Sequence, residues 1–112
     1  MFTIETRNKI GQAREAAEQC RAVIVYKGPD TIVASPDGRA AIAPPLPSWL
    51  ATAGTGDVLT GIIATARARG LDAFDAACAG VWMHKRAAEL AGPGLIADDL
   101  VQALPKVLAE LA

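Results

Sequence analysis

Between Ala22 and Ala43 the chain reads "AVIVYKGPDTIVASPDGRAAIA", three short apolar stretches separated by two clusters of turn residues. None of the three is long enough for a helix, and the first two are rich in β-branched residues, so each reads as a strand. "AVIVY", Ala22 to Tyr26, is continuously apolar and fits a buried strand of a parallel sheet, closed by the breaker KGPD. "TIVA" (Thr31 to Ala34) and "RAAIA" (Arg39 to Ala43) flank SPDG, with Pro, Asp and Gly in favoured turn positions. These two predict an antiparallel hairpin.

Everything outside this stretch reads as helix or stiff connector. Residues 4 to 20 predict an amphipathic helix with Ile4, Ile10, Ala13, Ala17 and Cys20 as its apolar stripe. "PPLPS", Pro44 to Ser48, can be neither helix nor central strand. A helix then starts near Asp57, with Val58, Leu59, Ile62, Ile63 and Ala66 on one face and Gly70 closing it. Asp72 is a natural N-cap for the next helix, whose inner face is Phe74, Ala77, Val81, His84 and Ala88. A last helical segment runs from about Ala97 to the C-terminus, where Pro105 predicts a kink or two short helices. So little sheet under so many apolar helices looks like part of a larger layered α/β domain.

The chain has 112 residues, one domain's worth, and is 52% hydrophobic and 21% charged, which is globular rather than disordered. Alanine-rich helices with only 4% aromatics imply close packing through small residues. A net charge of -1 with dispersed basic residues gives no reason to expect a nucleic-acid or anionic-membrane partner. Cys20 and Cys78 lack metal-ligand or CxxC spacing and read as buried free thiols of a reducing cytosol. The charged first twenty residues do not form a signal peptide, and no run reaches a membrane span, so the expected location is the cytoplasm.

The stretch "WLATAGTGDVLTGII" carries the strongest chemical signal. Gly54 and Gly56 permit a tight turn and close approach of a ligand. The first amides of the helix that follows lie at the positive end of its dipole, an anion pocket suited to phosphate. Asp57, at the same helix start, could take a proton from a hydroxyl attacking phosphorus. An ordinary glycine turn capped by Asp57 reads equally well. No Lys follows the glycines as in a Walker A loop, and Gly54, Gly56 and Gly61 do not have dinucleotide-fingerprint spacing.

Lys27 ends the first strand, where open α/β sheets bind ligands, though a solvated Lys in a plain turn fits too. His84, the sole histidine, falls on an apolar face and reads as a packed, hydrogen-bonded core residue. Trp49 and Trp82 read as core or pocket walls, and Asp98 and Asp99 as helix-capping acids.

Taken together, "VIVYKGPDTIVASPDGRAAI", "WLATAGTGDVLTGII" and "GVWMHKRAAELAGPGLIADDLVQALP" resemble, in order and spacing, the C-terminal half of the ribokinase-like ADP/ATP-dependent NAD(P)H-hydrate dehydratases. The resemblance covers roughly residues 5 to 112. It implies an α/β fold, the C-terminal part of a ribokinase-like three-layer domain: strand, β-hairpin and three helices over an incomplete sheet, with residues 1–112 as a single partial domain. It also implies a reaction in which a nucleotide phosphorylates the hydroxyl of a hydrated nicotinamide ring and loss of phosphate restores the double bond.

By the same resemblance, the family's KGxxT segment falls on Lys27, Gly28, Pro29, Asp30 and Thr31, which would contact the nucleotide. Gly54, Thr55 and Gly56 would form the anion hole, with Gly56 also touching the AMP moiety. Asp57 would be the base beside the hydrated cofactor. ADP or ATP with Mg²⁺ would be the co-substrate, with no metal held by the protein alone. The family's N-terminal half, with much of the substrate pocket, has no counterpart here. This predicts weak or absent activity of the chain alone, and an oligomer or a complementing chain. Two other readings are a fragment of a vitamin-alcohol kinase of the same fold and a non-catalytic oligomerising fragment.

Overall fold

The computed structural model describes residues 4–27, 30–43 and 54–111. The element order is α1 (Ile4–Cys20), β1 (Ile24–Tyr26), β2 (Thr31–Ala34), β3 (Ala40–Ala43), α2 (Thr55–Ala68), α3 (Ala73–Ala91) and α4 (Ala97–Leu111). The proline connector and Trp49 lie outside the described residues.

The strands form one sheet in the order β1-β2-β3, with both pairs antiparallel. The hairpin of β2 and β3 is as expected. Gly38 takes a φ of 95°, and the Ser35 amide donates to the Arg39 carbonyl at 2.8 Å. The parallel reading of the first strand is wrong: β1 pairs antiparallel with β2, Val25 opposite Val33. The reason is connection length. KGPD alone separates Tyr26 from Thr31, whereas a parallel crossover needs roughly a dozen residues.

β2 is buried along its whole length and serves both faces of the sheet. Ile32 and Ala34 pack on Ala13 and Ala17 of α1, flanked by Ile10, Ile24 and Ile42. Val33 points the other way, to Leu59 of α2 and Ala77 and Val81 of α3. Ala13 and Ala17 are fully buried, so the α1 backbone sits close on the sheet, as the alanine content implies. The α1 stripe differs at its ends. Thr6, four residues before Ile10, is buried, whereas Ile4 is 76% exposed and Cys20 is exposed too. Cys78 is half-buried, so neither free cysteine is a fully buried thiol.

A second core lies behind α3, where Ala87 and Ala88 meet Leu95 and, from α4, Leu100, Ala103 and Val107. A bidentate pair from Arg86 to Glu110, at 2.7 and 2.8 Å, also ties α3 to α4. The Asp72 carboxylate accepts from the Asp75 amide at 2.8 Å and caps α3 as expected. Asp99 accepts from the Ile96 amide at 2.8 Å at the start of α4. Pro105 sits inside α4 without dividing it. The donor it removes would have served Val101, whose side chain is 53% exposed, so that carbonyl lies on the solvent side of the helix. Trp82 is 46% exposed rather than a core wall.

α2 and α3 cross at Gly80, where an added Cβ would lie 2.4 Å from Ile63 Cγ1. Gly80→Ala is expected to lower stability by about 1 kcal/mol net, because overpacking of roughly 1–3 kcal/mol outweighs the helix-propensity gain. Gly11→Ala on exposed α1, where nothing lies within 4 Å, should raise stability by up to about 1 kcal/mol. Thermal melts followed by circular dichroism check both.

Candidate functional site

The GTG turn and the start of α2 are held from three directions. Gly54 is the N-cap of α2, left-handed at φ 87° and ψ −9°, with no side-chain cap. A Cβ there would be strained, and it would approach the Ala97 Cβ to 3.2 Å. The GLIADDL segment therefore abuts the turn, with the first residue of α4 against Gly54. Thr55 is buried, and its carbonyl accepts a hydrogen bond from His84 Nε2 of α3 at 2.9 Å. At Gly56 a Cβ would lie 3.1 Å from Lys27 Nζ, so the ammonium at the end of β1 lies against the helix start. Asp57 follows in the first turn and is exposed. It is not the N-cap; that position belongs to Gly54, and the Val58 amide donates to the Gly54 carbonyl at 3.4 Å.

This arrangement places a cation, Lys27, at the positive end of a helix dipole, beside glycine backbone that a ligand can approach. A cleft of ≈ 380 Å³ opens beside it, lined by Val25, Lys27, Gly56, Leu59, Thr60 and Ile63, among others. A larger groove of ≈ 480 Å³ lies between α2, α3 and α4, but its lining includes neither Lys27 nor any residue of the GTG turn.

The strand-end segment is anchored by α1. Thr6 Oγ1 donates to the Asp30 carboxylate at 2.9 Å, and Lys9 Nζ donates to the Asp30 carbonyl. The same ammonium lies 4.8 Å from the centre of the Tyr26 ring. The Asp30 carboxylate thus faces α1. Thr31 is 1% exposed on β2, and its hydroxyl has no hydrogen-bond partner among the described residues. Its parity along β2 puts it on the Val33 side, towards α2 and α3. Gly28 and Pro29 lie outside the described residues.

Three residues of this constellation carry only a weak signal in the sequence. Thr60 lines the cleft and donates to the Gly56 carbonyl at 3.0 Å; its spacing of four from Gly56 is the clue available. Thr6 and Lys9 act from α1, where a polar residue on an otherwise apolar stripe is the faint sign. His84 is the packed, hydrogen-bonded residue that its position implies, and its partner is the turn itself.

Burial pushes the His84 imidazole below the ordinary histidine value; the Thr55 carbonyl opposes that shift, and repulsion from Lys27 adds to it. The neutral ring carries its proton on Nε2, because a carbonyl can only accept. A depressed histidine binds fewer protons folded than unfolded. Its stabilising contribution is complete above the unfolded value near 6.5 and is lost as pH falls towards the folded one. Melts at pH 7.5 and 5.5 should therefore show a larger loss of Tm in the wild type than in His84→Gln.

The sequence profile of the NAD(P)H-hydrate dehydratase family matches residues 2–109. The ADP-dependent (S)-NAD(P)H-hydrate dehydratase of Neisseria meningitidis is 46% identical over 88 residues, covering 73% of this chain and 30% of that protein. The bifunctional NAD(P)H-hydrate repair enzyme of Mycobacterium leprae is 37% identical over 109 residues, covering 94% of this chain and 23% of its own length. Among solved structures, the ADP/ATP-dependent NAD(P)H-hydrate dehydratase of Bacillus subtilis, co-crystallised with ATP and Mg²⁺, superposes with a TM-score of 0.86 at 34% identity. That match covers 96% of this chain and 40% of the Bacillus chain. The chain thus spans well under half the length of these relatives, and over nearly all of its own length it belongs to the NAD(P)H-hydrate dehydratase family.

Proposed function

We propose that residues 1–112 form the nucleotide-side portion of a ribokinase-like ADP- or ATP-dependent NAD(P)H-hydrate dehydratase domain. The observation that carries this reading is the Lys27 ammonium against Gly56 at the N-terminus of α2. Lys27 neutralises the nucleotide phosphates as a point charge, and the Gly54–Thr55–Gly56 turn holds the transferring phosphoryl group. Gly28, Pro29, Asp30 and Thr31 belong to the same nucleotide-contacting segment, with Asp30 and Thr31 set in place by α1 and β2 respectively.

Asp57 faces solvent beside the turn and takes the proton of the ring hydroxyl as that oxygen attacks phosphorus. The bond from phosphorus to the nucleotide oxygen breaks, leaving AMP when ADP is the donor. Elimination of phosphate with a ring proton then restores the double bond. Among the described residues no three His, Cys, Asp or Glu side chains converge. Mg²⁺ arriving with the nucleotide would neutralise phosphate charge, and Asp57 is the carboxylate at the turn that could face it.

The matched residues span 23–40% of the relatives' lengths, so turnover by them alone is expected to be weak or absent. Among the described residues strand β1 has β2 as its single neighbour, which favours self-association or pairing with a complementing chain. Among the described residues no helix is long and apolar enough to cross a membrane; we place the protein in the cytoplasm.

Calorimetric titration with ADP and Mg²⁺ tests the assignment. Lys27→Ala should weaken binding about 10-fold or more, the loss of a charge-assisted contact, while Asp57→Asn should leave affinity within about 3-fold. Equal affinity of wild type and Lys27→Ala would remove Lys27 from the site. Incubation with hydrated NADH and ADP, followed by NADH absorbance, should show recovery only when the remainder of the domain is added as a separate chain, and that recovery should be abolished by Asp57→Asn.

A further inference from the structure

His84 and the turn it touches have a geometric relation that the proposed chemistry does not by itself require. The carbonyl that accepts from His84 Nε2 belongs to Thr55. That carbonyl shares one rigid peptide plane with the N–H of Gly56, and in a trans peptide the two point in opposite directions. The carbonyl already accepts within α2, which starts at Thr55, and the bond from α3 gives this peptide, and so the Gly56 N–H, a second anchor. Polarising the carbonyl through a hydrogen bond also makes the N–H of the same peptide a stronger donor. His84 is 3% exposed and lies on the buried face of α3, so the donor is held by the core and not by solvent. Lys27, which repels a charge on the ring, stands on the Gly56 side of the turn.

We infer that His84 is a positioning residue for phosphate binding: through the Thr55–Gly56 peptide it aims and strengthens the Gly56 N–H that meets the transferring phosphate. His84 itself does not touch the nucleotide. The inference rests on the reading of the GTG turn as a phosphate site. It predicts that what position 84 needs is a side-chain N–H donor of suitable reach, rather than an imidazole or apolar bulk.

His84 is the sole histidine, so its ring signals require no assignment. In ¹⁵N-detected spectra of the 112-residue chain at pH 7.5, the neutral ring should show the Nε2–H tautomer with a slowly exchanging proton. The His84→Leu variant should shift the Gly56 amide proton upfield without ligand and weaken ADP binding about 10-fold. The His84→Gln variant should restore both, to within about 3-fold for affinity. An Nδ1–H tautomer, ADP affinity in His84→Leu equal to wild type, or equal defects in the Leu and Gln variants would each overturn the inference. If His84→Leu does not fold, the tautomer and the His84→Gln affinity decide. A wild-type chain that binds no ADP would overturn the phosphate reading, and the ligand-free Gly56 shifts would still decide the coupling.

Discussion

The contact on which the candidate site depends is the buried hydrogen bond from His84 to the Thr55 carbonyl, made at the centre of a turn that has a neighbour on each side. Lys27 lies against Gly56 and Ala97 against Gly54. Three segments far apart in the chain, the end of β1, the middle of α3 and the start of α4, meet at three consecutive residues. Thr55 opens α2, so its carbonyl already accepts within the helix; removing His84 takes away the bond that ties it to α3, at a cost of about 0.5–1.5 kcal/mol. At Gly56 the neighbour is the tip of a flexible lysine and could give way, so the stronger demand for glycine is at Gly54, against the Ala97 Cβ. At Gly54 the backbone is also left-handed, so any side chain would be strained as well as crowded.

The rest of the fold works to bring those segments together. β2 is the pivot, with Ile32 and Ala34 gripping α1 while Val33 grips α2 and α3. α1 in turn holds Asp30, the residue that leads into β2, through Thr6 and Lys9. Glycine at position 80 lets α2 and α3 approach closely enough for His84 to reach Thr55. The company of KGPDT, GTGD and GLIADDL in one sequence is thus a physical association.

Local signals were the legible ones. The SPDG hairpin, the Asp72 cap and the buried face of α3 each follow from residues a few positions apart, and each is found. The apolar run of β1 misleads twice: Ile24 and Val25 are only half-buried and Tyr26 is exposed, and the four-residue connection to β2, not composition, decides its direction. At Pro105 a lost hydrogen bond on a solvent-facing side was tolerated within a helix packed through Leu100, Ala103 and Val107. The tertiary partners were not legible. Nothing in the sequence around His84 says that its ring meets a carbonyl 29 positions away, or that Lys9 meets Asp30. Thr6 shows the general difficulty, since a polar residue is buried there because of a partner on another element.

We propose that nucleotide phosphate binds at the start of α2, beside Lys27. Amide chemical shifts recorded across the described residues during an ADP titration test it most directly. The largest shifts are expected at Gly56 and Asp57, with smaller ones at Lys27 and Thr31, saturating together. Shifts confined to the groove between α2, α3 and α4, or none at millimolar ADP, would contradict it.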